Sequence, residues 1–265
     1  MTMRMTVKSG CSIISTSKEV ENVLSDILRL DKYKNIALVG AGGKTTLIYR
    51  LLENIRPMKK ILVSSTTMFN EPHESRYDFI DYSYREDYSF DAMSENGIYI
   101  VCNGRTPDNL LLGLGKEEVA RLSGHFDNSI IECDYSMGRP LKGFRQSEAG
   151  VPGSTDVTVG VLDIEALGLE VKSDNIFHLD RFIEITGSRI YSMVTLENLK
   201  SIVDDPEGLF LGARGKRVLF INKVEKSIDI ELMKRLVDII DKNRLDMVIA
   251  GSLFYDRYDI LYGGI

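Results

Sequence analysis

The chain has 265 residues, of which 43% are hydrophobic, and its formal net charge is −6. This composition is typical of a globular protein, and the length is sufficient for a substantial core. The acidic balance argues against nonspecific nucleic-acid binding, and no apolar stretch is long enough to cross a bilayer.

The cysteines indicate the compartment. Cys11, Cys102 and Cys133 are widely spaced and form no CxxC pair. This spacing suits a reducing environment and gives no zinc site. Residues 1–15 also lack the sustained apolar core of a signal peptide. We therefore expect a cytoplasmic protein that has neither a nucleic acid nor a membrane as a partner.

The order of predicted elements indicates an α/β fold. We expect residues 1–24 to form an N-terminal extension and the start of the first helix, and residues 25–265 to form a single domain. A C-terminal lobe from about residue 165 is left open. Short apolar strands alternate with amphipathic helices, which predicts a mostly parallel sheet flanked by helices. The predicted strands are Ile36–Val39, Lys60–Val63, Ile98–Cys102, Ser129–Glu132, Val157–Leu162, Val218–Ile221 and Met247–Ala250. The predicted helices are Lys18–Leu30, Thr45–Ile55, Lys116–Leu122, Asp180–Ser188, Leu196–Val203 and Ile228–Lys242.

The first predicted strand and helix are joined by a glycine-rich turn. It reads Gly40-Ala41-Gly42-Gly43-Lys44-Thr45-Thr46. Glycines allow backbone N–H groups to face a bound anion, and a helix N-terminus favours negative charge. A lysine at this position reaches β- and γ-phosphates, and the next hydroxyl can bind Mg²⁺. The turn predicts a P-loop NTPase-like fold that holds ATP or GTP with Mg²⁺.

Two other interpretations of this turn have less support. The usual P-loop pattern has a glycine where Leu38 stands, so this is a shortened loop of the kind seen in Mur-ligase-like ATP enzymes. A plain strand-to-helix turn with a solvated lysine is one alternative. A dinucleotide-binding turn is the other, but Thr45 occupies the place of its third glycine.

A second element places carboxylates after an apolar strand. Glu132 and Asp134 follow Ile130-Ile131, and alternation along the strand would point both the same way. In a P-loop protein this is the position of the Mg²⁺-binding acid, and a second carboxylate can orient a nucleophile. The alternative is a pair of acids that simply marks a strand end. Arg139, Lys142 and Arg145 follow closely and could neutralise phosphate charge, or form a solvated basic loop.

Two further segments are candidates for ligand contacts. Thr66 and Thr67 follow the second strand and could touch metal or phosphate, although helix capping explains such residues as well. Asn222-Lys223-Val224-Glu225 resembles the N-K-x-D guanine-reading element of GTPases, with Glu225 in place of Asp. The longer side chain leaves the base preference open.

Taken together, these motifs resemble a family of accessory proteins of selenium-dependent molybdenum hydroxylases, also called YqeC-type selenium cofactor biosynthesis proteins. The resemblance rests on the loop at 39–46, Ser-Ser-Thr-Thr-Met-Phe at 64–69, Glu132-Cys133-Asp134, Arg139-Pro140-Leu141-Lys142 and Asn222-Lys223. It implies a nucleotide-binding protein that acts in the maturation of a hydroxylase cofactor, with a molybdenum hydroxylase or its cofactor as partner.

The leading hypothesis is therefore a Mg²⁺-dependent NTPase or nucleotide-using enzyme. The alternatives are a non-catalytic nucleotide-dependent switch or chaperone for the hydroxylase, and a nucleotidyl or other group transferase. The candidate catalytic residues are Lys44, Glu132, Asp134, Arg139 and Lys142. The candidate nucleotide-binding residues are Gly40, Ala41, Gly42, Gly43, Lys44, Thr45, Thr46, Thr66, Thr67, Asn222, Lys223 and Glu225. The candidate Mg²⁺ ligands are Thr45, Asp134 and Glu132.

Overall fold

A computed structural model describes residues 23–85, 95–148 and 150–265. The predicted N-terminal extension therefore lies outside the described residues, apart from its last two positions. Of the predicted first helix, the described part contains the short helix α1 (Leu24–Ile27). None of the helices in these three ranges is long and apolar enough to cross a membrane.

Strands and helices alternate along the chain, as predicted. The strands are β1 (Asn35–Gly40), β2 (Lys60–Ser65), β3 (Phe69–Asn70), β4 (Phe79–Asp81), β5 (Gly97–Val101), β6 (Leu110–Leu111), β7 (Asn128–Glu132), β8 (Leu141–Lys142), β9 (Val157–Asp163), β10 (Ile176–Phe177), β11 (Lys216–Asn222), β12 (Met247–Ser252) and β13 (Arg257–Gly263). After α1, the helices are α2 (Lys44–Leu52), α3 (Lys116–Ser123), α4 (Leu179–Thr186), α5 (Leu196–Asp204) and α6 (Ser227–Ile239).

Nine strands form one sheet in the order β13-β12-β11-β9-β1-β7-β2-β5-β4. All neighbouring pairs are parallel except β12 and β13, which are antiparallel. The prediction of a mostly parallel sheet is confirmed. The loop strand β1 lies between β7, which carries the predicted acids, and β9. Strands from before and after residue 165 belong to this same sheet.

Helices cover both faces of the sheet, and alternation along β1 shows how. Ile36 and Leu38 pack in a cluster with residues of α1 and α2. Ala37 and Val39 pack in a second cluster with residues of α3, α4, α5 and α6. All four side chains are buried, as expected for a central parallel strand. This two-sided burial fixes β1 in the middle of the sheet, and therefore fixes where its carboxyl end opens into the glycine-rich turn.

Candidate functional site

The turn after β1 leaves a run of backbone donors open. Gly42 and Gly43 have φ angles of +81° and +137°, which side-chain-bearing residues rarely adopt. The amides of Gly40 and Ala41 donate to Asp134 Oδ2 and to the Val161 carbonyl. The next five amides, residues 42–46, have no partner within the described residues, because three of them begin α2. They form a nest of backbone N–H groups at a helix N-terminus, an arrangement suited to an anion.

Lys44 is buried at the base of this nest. Its Nζ donates to the Gly40 carbonyl at 2.8 Å, to the Asp134 carbonyl at 2.7 Å and to Asp134 Oδ1. Glu132 Oε1 lies 3.4 Å from the same nitrogen. The ammonium group is therefore shared between two carboxylates from the end of β7, and the structure brings these three predicted residues together.

Asp134 also contacts a second buried lysine. Lys142 Nζ lies 3.2 Å from Asp134 Oδ2, and it donates to the Tyr135 carbonyl at 3.0 Å. Glu148 Oε2 lies 3.3 Å from this Nζ, and Glu148 Oε1 contacts His178 Nε2 at 2.6 Å. The Lys142 side chain is only 1% exposed. It lies behind the loop and holds Asp134 in place.

Burial and charge act in opposite directions on these groups. Burial tends to raise the pKa of Asp134, but Lys44 and Lys142 outweigh it and hold that pKa below its ordinary value. Burial raises the pKa of Glu132, and Lys44 offsets only part of the rise. Burial tends to lower the pKa of Lys44, but Asp134 and Glu132 outweigh it and raise that pKa. Asp134 and Lys44 therefore stay ionised, while Glu132 is the carboxylate that takes up a proton more readily.

A cavity of about 920 Å³ lies in front of the nest. This volume falls within the range of small-molecule and cofactor sites. The predicted residues that line it are Gly42, Gly43, Lys44, Thr45, Thr46, Glu132, Arg139, Asn222, Lys223 and Glu225. The other predicted residues, Gly40, Ala41, Thr66, Thr67, Asp134 and Lys142, are not among its lining residues.

Thr66 and Thr67 lie near this edge of the sheet, where Thr67 takes part in a local turn. The Thr67 hydroxyl is 3.3 Å from Ser65 Oγ, and its amide donates to that same oxygen at 3.0 Å. The Thr66 hydroxyl is buried without a hydrogen-bond partner in the described residues. It lies close to where a side chain on Gly150 would begin. Neither hydroxyl lines the cavity.

Arg139 lines the same cavity as the base-reading candidates. Its Nε donates to the Ser173 carbonyl, and its guanidinium lies 5.8 Å from the centre of the Phe177 ring. Its two terminal nitrogens have no hydrogen-bond partner in the part of the chain that the structure describes. Arg145, by contrast, pairs with Asp180 on the surface at 2.7 Å. Of the three predicted cations after Asp134, Arg139 alone among the described residues reaches the cavity.

The Asn222 segment contacts the glycine-rich turn directly. Asn222 Nδ2 donates to the Gly42 carbonyl at 2.8 Å, and its Oδ1 accepts from the Leu253 amide at 3.3 Å. Lys223 Nζ lies 2.6 Å from Asp163 Oδ2. Glu225 Oε1 accepts from Ser252 Oγ at 2.8 Å. The segment at the end of β11 thus faces the same cavity as the glycine-rich turn.

Sequence reasoning missed Asp163, which ends β9 beside the turn. A Cβ on Gly42 would lie 2.3 Å from the Asp163 Cβ, so the two backbones approach closely. The residue is fully buried, and burial raises its pKa, with Lys223 offsetting part of the rise. Its Oδ2 contacts Lys223 without the alignment of a hydrogen bond. The signal was an acid directly after the apolar run Val157–Leu162, the same signal that pointed to Glu132.

Three side chains could contribute to a metal ion at the cavity wall. They are the exposed Thr45 hydroxyl, which has no partner in the described residues, and the carboxylates of Glu132 and Asp163. Across the described ranges, no group of three or more His, Cys, Asp or Glu could hold a metal ion. This donor set suits Mg²⁺, which usually takes one or two carboxylates and completes its shell with water and phosphate.

A comparison with known proteins identifies the family. A family model described as "YqeC protein" matches residues 36–180, which is more than half of the chain. The chain belongs to the YqeC family. The matched range contains the glycine-rich turn, Glu132, Asp134 and Asp163, and it ends before Asn222. The family resemblance predicted from the motifs is confirmed.

One relative extends the YqeC comparison over most of the chain. "Uncharacterized protein YqeC" of Escherichia coli (strain K12) is 26% identical over 237 residues. The aligned region covers 82% of this chain and 87% of the relative. No solved structure matches the chain.

Proposed function

We propose that this protein binds a nucleoside triphosphate with Mg²⁺ at the turn between β1 and α2. The observation that carries the proposal is the run of five open amides at residues 42–46, next to the buried ammonium of Lys44. Backbone donors, a helix dipole and a fixed positive charge converge there on one cavity. This combination is suited to a polyphosphate.

The position of the turn within the sheet supports a P-loop NTPase-like fold. Ligands in open α/β sheets bind at the carboxyl ends of the strands, and the turn, Glu132, Asp163 and Asn222 all lie at such ends. The acid-bearing strand β7 is next to β1 on one side, and β11 lies two strands away on the other. A dinucleotide-binding fold has less support, since its ribose-binding acid would follow β2, where the chain reads Ser-Ser-Thr-Thr.

We infer that Mg²⁺ would be held by the Thr45 hydroxyl and the Glu132 carboxylate, with Asp163 within reach of the same cavity. Asp134, predicted as a metal ligand, has both oxygens engaged by Lys44, Lys142 and the Gly40 amide. Its role in this proposal is to fix the turn and orient Lys44. The metal would supply charge neutralisation for the phosphates, and Arg139, which lines the same cavity, would add a second positive charge.

We infer the pathway from the family resemblance. The motifs that resemble the accessory-protein family favour a role in maturing the selenium or molybdenum cofactor of a hydroxylase in the cytoplasm. The relative from Escherichia coli carries no activity in its name, so the reaction rests on the site alone. Three reactions fit this site: triphosphate hydrolysis, a nucleotide-dependent switch with little turnover, and transfer of a nucleotidyl or other group.

The experiment is a thermal-shift screen of purified protein with Mg²⁺ and ATP, GTP, CTP or NAD, followed by product analysis. A triphosphate at a hundredfold its Kd should stabilise the protein by about 2.7 kcal/mol, and NAD should not. Released phosphate would identify hydrolysis, and released pyrophosphate a nucleotidyl transferase. Binding without turnover, with or without a molybdenum hydroxylase, would identify the switch. A shift with NAD alone would contradict the proposal.

A further inference from the structure

Glu225 adds a second polar group to the cavity wall. It lies three residues along the chain from Asn222, which contacts the glycine-rich turn. Asn222 contacts the turn through the Gly42 carbonyl, and Glu225 follows it on the same segment. Three residues span at most roughly 10 Å, comparable with the reach of a nucleoside from its phosphates to the far edge of its base. A nucleotide whose phosphates lie on residues 42–46 could therefore bring its base to Glu225.

Glu225 is held in one orientation by a buried hydroxyl. Ser252 Oγ donates to Glu225 Oε1 at 2.8 Å, and it accepts from the amides of Phe254 and Tyr255 at 3.2 and 3.1 Å. Because both amides point at the serine oxygen, its single proton is directed to the carboxylate. The backbone of Glu225 is also fixed, since its amide donates to Asp229 Oδ2 at 3.2 Å.

This arrangement presents hydrogen-bond acceptors to the cavity. Glu225 Oε2 has no partner in the described residues, and Oε1 keeps a free lone pair beside the serine proton. An ionised carboxylate accepts and cannot donate. Only one common nucleobase offers two adjacent N–H donors on its pairing edge, namely guanine, through N1 and the exocyclic amine. Adenine and cytosine would turn a ring-nitrogen lone pair toward a carboxylate oxygen, which is unfavourable.

The remaining walls suit a flat ring. Phe254 is 75% exposed and lines the cavity, so its ring is accessible to a ligand there. The stem of Lys223 borders the same space, because its ammonium group is anchored on Asp163. The second N–H of the Asn222 amide has no partner in the described ranges and could reach a purine N7.

We propose that Asn222, Lys223, Glu225 and Phe254 form a guanine subsite, in which the Glu225 carboxylate, held by Ser252, accepts from N1–H and the exocyclic amine. The inference rests on the proposed triphosphate site, whose phosphate end it extends. It assigns Ser252 as a positioning residue and Phe254 as a stacking surface.

The test measures calorimetric affinities for GTP, ATP and xanthosine triphosphate, each with Mg²⁺, on the natural protein and on Glu225→Gln. We expect GTP to bind the natural protein on the order of 100-fold more tightly than ATP. Glu225→Gln should lose at least tenfold in GTP affinity and gain affinity for xanthosine triphosphate, since a glutamine amide can donate to the xanthine C2 carbonyl. Glu231→Gln, the same change on the exposed side of α6, should leave all three affinities unchanged.

The outcomes separate this inference from the proposed function. Equal binding of ATP and GTP to the natural protein would overturn the guanine subsite and leave the triphosphate site standing. A GTP preference that Glu225→Gln does not alter would overturn the role of Glu225. Absence of binding by any triphosphate would overturn both. Thermal unfolding of each variant in the absence of nucleotide would exclude loss of the fold as the cause.

Discussion

Lys44→Met is expected to reduce the affinity for Mg²⁺-triphosphates on the order of 100-fold or more. The ammonium group is the full positive charge at the base of the amide nest, and methionine keeps the length of the side chain while removing that charge. The three N–H groups of Lys44 donate to the carbonyls of Gly40 and Asp134 and to Asp134 Oδ1, so contact with phosphate requires one of them to exchange its acceptor. Hydrogen bonds to charged groups contribute about 1.5–3 kcal/mol each, so loss of even one such contact with phosphate has a large effect. Isothermal titration of the purified variant measures the change.

The fold should persist in this variant. Asp134 would keep the Gly40 amide and Lys142 as partners, and Glu132, whose pKa is already raised by burial, could take up a proton. Lys234→Met, at an exposed position on α6, is the matched control and should bind as the natural protein does. Unchanged triphosphate affinity in a folded Lys44→Met variant would remove Lys44 from the site.

Lys142→Met is expected to destabilise the protein by about 3–5 kcal/mol, the range for removal of one partner from a buried ion pair. Lys142 is almost completely buried, and its Nζ contacts Asp134, Glu148 and the Tyr135 carbonyl. Methionine would leave Asp134 Oδ2 with the Gly40 amide alone and would leave Glu148 with His178. Denaturant unfolding followed by circular dichroism gives the free energy directly.

The partner variant tests whether charge is the cause. Glu148→Gln combined with Lys142→Met removes one of the carboxylates left without its lysine, so the double variant should lose less stability than the two single changes added together. A loss below about 1 kcal/mol for Lys142→Met alone, as is typical of surface pairs, would mean that this lysine does not support the turn.

Much of the fold could be predicted because central parallel strands are apolar throughout. The apolar runs that predicted β1, β7, β9 and β11 are buried on both faces of the sheet. Short uninterrupted apolar runs of this kind indicate a buried strand. The edge strands β4 and β13 were not predicted. Exposed side chains such as Asp259 and Tyr262 give β13 no clear pattern, and its pairing depends on contact with β12.

The candidate site could be predicted in its glycine-rich turn and only partly elsewhere. Glycine and lysine next to a strand end indicate their chemistry from local sequence. Lys142 was predicted as a candidate catalytic cation, with a solvated basic loop as the alternative, whereas the structure buries it beside Asp134. Its burial follows from the pairing of β8 with β10, more than thirty residues away, and no local pattern shows this. Ser252 was missed for the same reason, since its contact with Glu225 joins the ends of two strands.

The most direct measurement is a crystal structure of the protein with Mg²⁺ and a non-hydrolysable triphosphate analogue. We expect density for the β- and γ-phosphates against the amides of residues 42–46, with Lys44 in contact and the metal beside Thr45 and Glu132. An analogue bound at another place on the molecule, with the turn vacant at saturating concentration, would contradict it.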